Sequence, residues 1–255
     1  MKINGPTGTI ILNRPQKCNA MDRATLDSMR QALFDLQQEK RIRGIVITGT
    51  GPHFSSGLDL VELNQTLDNQ HALQQWYDDS ERLKGVVEAI LQLPKPVIAA
   101  VDGVAFAAGL AIVLACDLVV AGYEATFAVK SAPLGIVSGI VCPLLKFRVG
   151  AGLASRLAIG GDCLTATEAK SLGLVHHLVE SHLIWVRAQT WVEQMSACPA
   201  ETLQLSKRLL NEMLGEQLTT ELSSAAAAAA TSLTTEVASE GLRAFADKRP
   251  PKFPS

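Results

Sequence analysis

Residues 94–121 read PKPVIAAVDGVAFAAGLAIVLACDLVVA, and the order of apolar runs and turns in this stretch predicts the fold class. Its two prolines introduce Val97–Val101, an apolar run whose length and composition predict a buried strand. A turn at Gly103 leads to Ala108–Cys116, which predicts a short helix, and Leu118–Ala121 predicts the next strand. A strand, a glycine turn, a helix and another strand in succession indicate an α/β architecture, in which loops at strand ends carry the functional site.

The same alternation is present nearer the N-terminus. Thr9–Leu12 predicts a strand, and Gly44–Thr48 predicts a second, buried one. Between them, Asp22 is expected to cap a helix. The apolar side chains of that helix recur at helical spacing, at Leu26, Met29, Leu33 and Leu36.

The C-terminal part of the chain differs in character. After about residue 181 helical patterns dominate, and Ala225–Ala230 combines high helix propensity with little side-chain bulk. Such a run predicts a close contact between helices. We therefore divide the chain into an α/β core, residues 1–190, and a helical region, residues 191–255.

Composition narrows the class of protein. With 255 residues, 47% of them apolar and 19% charged, the chain is expected to fold as a globular protein. A net charge of -2 without a basic stripe argues against nucleic acid as a partner. The longest uncharged apolar stretch, Val104–Cys116, is shorter than the roughly 20 residues that cross a bilayer, so no membrane partner is expected.

The N-terminus and the cysteines predict the compartment. The opening MKINGPTGTI lacks the pattern of a secretory signal. Five cysteines lie far apart, without a C-x-x-C pair or a neighbouring histidine, so we expect reduced thiols and no metal site. These features predict a cytoplasmic protein.

Two glycine turns follow apolar strands, HFSSGLDL at residues 53–60 and DGVAFAAG at residues 102–109. Small residues allow close backbone approach to a ligand, and free amides at a turn or helix start can donate to an anionic oxygen. Tight turns with close packing are the alternative interpretation. Neither turn has the lysine of a phosphate loop, and GIVSG at residues 135–139 has the wrong spacing for a nucleophile elbow.

Four ordered motifs resemble the signatures of the crotonase (enoyl-CoA hydratase/isomerase) family. They are ILNRP at residues 11–15, NAM at 19–21, FSSGLDL at 54–60 and PKPVIAAVDG at 94–103. Further matches at 115–118, 126–128, 134–136, 164–175 and 240–249 extend the resemblance over essentially the whole chain. The ordered set is specific, although each piece alone is weak.

The resemblance implies a crotonase-like spiral of ββα units with a C-terminal helical trimerisation region. Residues 1–190 would then hold an acyl-CoA site, and residues 191–255 would form a homotrimer or hexamer. The backbone amides of Leu58 and Ala108 would form an oxyanion hole, a contribution of roughly 3–4 kcal/mol per donor by analogy with other such sites. No bound cofactor is implied, because coenzyme A is part of the substrate.

The resemblance also implies the coenzyme A contacts. They would be made mainly by Arg14, Lys17, Cys18, Ala20 and Ser56, by Gly57, Asp59, Leu60 and Gly109 of the glycine turns, and by Phe245 and Lys248 reaching a neighbouring subunit. For Arg14 and Lys248, a solvated surface charge is the alternative.

The chain departs from the family at its proton-transferring positions. Hydratases use two carboxyl groups, and the matching positions hold Ala111 and Ser131. Some relatives carry an acid or a tyrosine where Ser138 and Gly139 stand. The remaining polar candidates are Ser131, Ser138, Lys130, His53, Asp59, His71, Tyr77 and Asp78, with Cys142 as a weaker nucleophile candidate.

These observations predict an enzyme that binds an acyl-CoA thioester and stabilises its enolate, without ordinary hydratase activity. An acyl-CoA decarboxylase or other lyase is an alternative within the family. A catalytically silent acyl-CoA-binding protein is the alternative from another class.

Overall fold

The computed structural model describes residues 1–212 and 215–253. The strands are β1 Lys2–Asn4, β2 Thr7–Leu12, β3 Gly44–Gly49, β4 Val97–Val101, β5 Val104–Phe106, β6 Leu118–Gly122, β7 Thr126–Ala128, β8 Cys163–Thr165 and β9 His177–Val179. The helices are α1 Arg23–Gln38, α2 Leu60–Asn64, α3 Ala72–Gln92, α4 Ala108–Ala115, α5 Val141–Ala158, α6 Ala166–Ser171, α7 Ile184–Ser196, α8 Ala200–Glu212, α9 Gly215–Ser232 and α10 Glu236–Ala246.

The described strands form two sheets. The larger has the order β1-β2-β3-β4-β6-β9, and it is parallel apart from the β1–β2 pair. The smaller has the order β5-β7-β8, with β5 and β7 parallel and β8 antiparallel to β7. Ala99 in β4 aligns with Ile47 of β3 on one side and Val119 of β6 on the other, so the centre of the large sheet is fully buried.

Successive units repeat one arrangement. In β4–β5–α4 and again in β6–β7–α5, the first strand joins the large sheet, the second joins the small sheet, and a helix follows. This is the predicted spiral of ββα units. The four predicted strands are confirmed, and the predicted helix at Ala108–Cys116 is confirmed with its end one residue earlier, at Ala115.

Local sequence explains the first helix. The Asp22 side chain accepts a hydrogen bond from the Thr25 amide at 2.8 Å, which satisfies one of the free amides at the start of α1. The four predicted apolar positions are the buried ones, Leu26, Met29, Leu33 and Leu36. In contrast, every residue of α4 is buried, so this helix lies inside the core rather than on its surface.

The alanine run makes the predicted close contact. Helix α9 packs against α3 of the same chain, with Ala226 and Ala230 buried. Gly139, just before α5, lies so near this run that a Cβ atom there would clash with the carbonyl oxygen of Ala225. The absence of a side chain at Gly139 and the small alanine side chains of α9 allow this close approach.

The boundary between the two predicted regions falls inside a helix. Helix α7 runs continuously through residues 190 and 191, and its buried side chains Ile184, Ala188 and Val192 pack on the large sheet. The division at residue 190 stays a prediction, and residues 213–214 and 254–255 of the second region lie outside the described residues. No helix in the described part of the chain is long and apolar enough to cross a membrane.

Candidate active site

The two glycine turns lie side by side. Ser55 of the first turn forms a parallel bridge with Ala105 of the second: the Ser55 amide donates to Val104 O at 3.0 Å, and the Phe106 amide donates to Ser55 O at 2.9 Å. Gly109 allows the turns to meet, because a Cβ atom there would lie 2.6 Å from the Ser55 carbonyl oxygen. The strand-end loops therefore form one site.

Each turn presents a free backbone donor. The Met21 amide donates to Gly57 O and the Asp59 amide donates to Met21 O, at 2.8 and 2.9 Å, which fixes the backbone on both sides of Leu58. Ala108 is the first residue of α4, so its amide has no acceptor within the helix. Over residues 1–212 and 215–253, neither the Leu58 nor the Ala108 amide donates to a protein acceptor.

The two donors are close neighbours. A Cβ atom on Gly57 would lie 3.3 Å from the Ala108 amide nitrogen, so the residue before Leu58 almost touches the second donor. Ala107, just before that donor, has φ 47° and ψ -120°, in a region that favours glycine. Such a backbone costs about 1–3 kcal/mol, and the Ala107 amide is held by Ala128 O of β7 at 3.0 Å.

Leu58 and Ala108 both line a cavity of about 730 Å³, a volume that includes its open mouth. Its walls are mainly aliphatic side chains of the first turn, α3 and the segment before α5, and Ala229 of α9 closes one side. The polar side chains in its lining are Ser56, Ser80, Lys130, Ser131 and Ser138. Among the described residues that line it, none is acidic.

Two of these serines form a pair. The Ser131 Oγ and Ser138 Oγ atoms lie 2.5 Å apart, a short hydrogen bond in which either oxygen can be the donor. A 3-10 turn at Ala132–Leu134 ends at Gly135 in the left-handed region, with φ 67°, and returns the chain so that the hydroxyls meet. The structure thus joins two residues that the sequence singled out separately.

Comparison with known proteins identifies the family. The model of the enoyl-CoA hydratase/isomerase family matches residues 3–255. This chain belongs to that family. The family, also known as the crotonase family, acts on acyl-CoA substrates.

Relatives and solved structures agree with this membership. A Thermus thermophilus protein with the name of an enoyl-CoA hydratase is 34% identical over 249 residues, with 98% of each chain covered. The 2,3-dehydroadipyl-CoA hydratase of Escherichia coli is 33% identical over 245 residues, covering 96% of this chain and 93% of the relative. The crystal structure of an enoyl-CoA hydratase/isomerase from Xanthobacter autotrophicus superposes with a TM-score of 0.86 at 27% identity, covering 97% of this chain and 95% of the other.

Asp59 supports the first turn rather than the cavity. Its carboxylate accepts hydrogen bonds from Arg14 at 2.8 Å and Lys17 at 3.0 Å, and only 6% of the side chain is exposed. Burial by itself raises the pKa of Asp59, but the hydrogen bonds and charges of Lys17 and Arg14 outweigh burial and hold that pKa below its usual value. Its other oxygen accepts from the Val61 amide at 3.2 Å and caps α2. The structure does not bring this carboxylate to the cavity.

The segment before α1 holds the first turn from the other side. The Ser56 amide donates to Cys18 O at 2.9 Å, and Arg14 also donates to Ala20 O at 2.6 Å. Cys18 is half-buried and Ala20 is buried, whereas Lys17 retains 45% exposure. These residues surround the first turn, where the family resemblance expects coenzyme A.

Asn19 has a role that the sequence did not reveal. Its side-chain nitrogen donates to Thr50 O at 2.9 Å and His53 O at 2.7 Å, and its oxygen accepts from the Arg14 amide at 2.8 Å. Asn19 belongs to the NAM motif, but only the folded chain shows that it ties the strand-end turn to this segment.

Several polar candidates lie away from the cavity lining. His53 Nδ1 faces the backbone and accepts from the Val104 amide at 3.4 Å. His71 and Tyr77 are exposed, and Asp78 accepts from Gln74 at 2.9 Å. The structure does not bring these four side chains to the two amides.

Other positions of interest are also outside the lining. Ala111 is fully buried in α4. Burial raises the pKa of the Cys142 thiol, which disfavours the reactive thiolate.

At the end of α10, Phe245 is 46% exposed and Lys248 is exposed. No group of three or more metal-ligating side chains occurs in the part of the chain that the structure describes.

Proposed function

We propose that this family member binds an acyl-CoA thioester and stabilises its enolate through the amides of Leu58 and Ala108. The observation that carries the proposal is the pair of free amides on adjacent turns, both lining one largely apolar cavity. When an enolate forms, negative charge develops on the thioester oxygen. A fixed amide donor at such an oxygen contributes roughly 3–4 kcal/mol.

Ordinary hydration is not expected of this site. Adding water across a double bond needs one group to take a proton from water and another to protonate the α-carbon, each contributing roughly 10²–10⁴-fold. Ala111 and Ser131 occupy the positions where the family resemblance expects those carboxyl groups. The cavity lining, as far as the structure describes it, supplies hydroxyls and one amine but no carboxylate.

Decarboxylation is the second candidate, and the serine pair favours it. In that reaction the bond from the α-carbon to a carboxylate breaks, carbon dioxide leaves, and the electron pair passes into the enolate. Water then supplies the proton that returns to the α-carbon. This route requires an oxyanion hole but no carboxylate base, which fits a described lining whose polar side chains are serines, including the bonded pair Ser131 and Ser138, and one lysine.

For the coenzyme A end, the proposed contacts run along the first turn. Lys17, Cys18, Ala20 and Ser56 border it, mainly through their backbone, and Gly57, Leu60 and Gly109 shape it. Arg14 and Asp59 contribute to coenzyme A binding indirectly, because they form an ion pair with each other.

Assembly is proposed to be a homotrimer or a hexamer. Leu205, Leu209 and Leu210 of α8 are 55%, 61% and 71% exposed, an apolar surface that a neighbouring subunit would cover. Phe245 and Lys248 are accessible for contact with the nucleotide of a neighbouring subunit.

A panel of acyl-CoA thioesters tests the proposal. Each is incubated with the protein in heavy water and followed by mass spectrometry for α-proton exchange, loss of carbon dioxide and addition of water. Exchange or loss of carbon dioxide is expected, with little hydration. Binding without any conversion would support a silent acyl-CoA-binding protein, and absence of binding would overturn the proposal.

A further inference from the structure

Lys130 is the charged side chain in the described cavity lining. It is exposed, and it forms no hydrogen bond or ion pair with any described residue. The basic groups at the first turn differ, because Arg14 and Lys17 both contact Asp59. The positive charge of Lys130 is therefore available to a ligand.

The backbone of Lys130 is unusual. Its φ of 44° lies in the left-handed region, which costs a side-chain-bearing residue roughly 1–2 kcal/mol relative to its usual conformation. Glycine would adopt this backbone without that cost. A lysine in this conformation, at the wall of the cavity, points to a role for its side chain rather than for its backbone.

The neighbouring hydroxyls complete a set of donors. Ser131 follows Lys130 directly, and its Oγ is bonded to Ser138 Oγ. Within such a pair one hydroxyl donates to the other, so the second retains a hydrogen that it can donate to a ligand. An ammonium group and a hydroxyl match the acceptor-only oxygens of a carboxylate, and hydrogen bonds to ionised groups are the stronger kind.

We infer that Lys130 and the Ser131–Ser138 pair bind a carboxylate carried by the acyl group of the substrate. The substrate class is then acyl-CoA thioesters of dicarboxylic acids. This inference rests on the proposed function, because it assigns a specificity to the same cavity. The phosphates of coenzyme A are the other anion that Lys130 could contact, and the test separates the two.

Isothermal titration calorimetry with two acyl-CoA thioesters of equal acyl chain length tests for this carboxylate site. Glutaryl-CoA ends in a carboxylate, and valeryl-CoA ends in a methyl group. Wild-type protein should bind glutaryl-CoA on the order of tenfold more tightly, the gain expected for a charge-assisted contact. Lys130→Met should remove that preference while leaving the valeryl-CoA dissociation constant within about twofold, and Lys130→Arg should retain the preference.

Lys130→Gly provides the control for folding. Glycine adopts a φ of 44° without strain, so this variant should fold at least as stably as the wild type. It should also lose the preference for glutaryl-CoA over valeryl-CoA. Retained preference in Lys130→Met and Lys130→Gly would overturn the inference. Equal weakening of both thioesters and of free coenzyme A would assign Lys130 to the phosphates and would overturn it too.

The titration distinguishes failure of the carboxylate site from failure of acyl-CoA binding. Tight binding of valeryl-CoA without any preference for glutaryl-CoA overturns the inference and leaves the proposed function intact. Failure of wild-type protein to bind either thioester overturns the proposed function, and the inference with it.

Discussion

The hydroxyl oxygens of Ser131 and Ser138 lie 2.5 Å apart at the wall of the cavity that Leu58 and Ala108 share. Ser131 is buried, and it stands where the family resemblance expects a carboxyl group. Neither hydroxyl is bonded to a carboxylate or an imidazole in the described residues. The pair therefore supplies polarity and hydrogen bonds to the cavity but no strong base.

Loss of one hydroxyl should weaken the fold through its partner. Ser131→Ala and Ser138→Ala should each lower the free energy of unfolding by about 1 kcal/mol, and the double variant should lose less than the sum. Urea denaturation of the four proteins measures the coupling. Ser80→Ala is the matched control, because Ser80 lines the same cavity and its hydroxyl forms no hydrogen bond with any described residue. Strict additivity would show that the two hydroxyls do not interact.

Hydration of crotonyl-CoA should be slow. Without the two carboxyl groups, we expect turnover at least roughly 10³-fold below that of a competent hydratase, measured by the loss of enoyl absorbance. Ala111→Glu with Ser131→Glu should not restore it, because Ala111 is fully buried and its new carboxylate would lack a partner. Wild-type turnover equal to that of a hydratase would show that another group transfers the proton.

The ion pairs of Asp59 should give a pH-dependent stability. Asp59→Asn should lower the free energy of unfolding by about 1–3 kcal/mol at pH 7. Because the pKa of Asp59 is lowered on folding, its contribution is complete above the unfolded value of about 4 and is lost as the pH falls through the lower folded value. The difference in the free energy of unfolding between wild type and Asp59→Asn should therefore shrink from pH 5 toward pH 3.

Urea unfolding of wild type and Asp59→Asn over that range makes the measurement. Asp78→Asn is the control, since Asp78 is exposed and its carboxylate is bonded only to Gln74 among the described residues. A difference for Asp59→Asn that does not change with pH would assign the loss to packing instead of charge.

The exposed leucines of α8 should mark a subunit interface. We expect light scattering at micromolar concentration to report a trimer or a hexamer. Leu209→Glu with Leu210→Glu should shift the protein toward monomer, because a charge would have to be buried at the contact. Phe34→Glu on α1, at a residue 57% exposed, should leave the assembly unchanged. A monomeric wild-type protein would contradict the proposed assembly.

Local signals in the sequence were sufficient for much of the fold. Val97–Val101 and Gly44–Thr48 are short buried apolar runs, and Asp22 is followed by apolar residues at helical spacing, so each element is specified by its own residues. The small sheet was not predicted, because β5, β7 and β8 are only three residues each and show no usable alternation. Helix α3 was also not predicted, although Trp76 and Leu83 lie on its buried face.

Less of the candidate active site could be predicted from the sequence. The bond between Arg14 and Asp59 joins residues 45 positions apart, and it depends on how the first turn packs. Ser131 and Ser138 meet only because the chain reverses at Gly135. Local preference gives no indication that Ala107 and Lys130 adopt a left-handed backbone, because tertiary contacts impose it.

Removal of one amide donor is the sharpest test of the proposed oxyanion hole. Ala108 is the first residue of α4, a position that tolerates proline, and proline lacks the N–H group. In an Ala107→Gly background, where glycine relieves the φ of 47°, Ala108→Pro deletes the donor and places the ring Cδ atom where the amide hydrogen stood. Ala107→Gly alone, which keeps the amide, is the matched control, and circular dichroism verifies the fold of both.

The readout is the rate of α-proton exchange into a bound acyl-CoA in heavy water. We expect exchange in Ala107→Gly near the wild-type rate, and a rate roughly 10²–10³-fold lower in Ala107→Gly/Ala108→Pro. Equal exchange rates in the two folded variants would contradict the assignment of the Ala108 amide to the oxyanion hole.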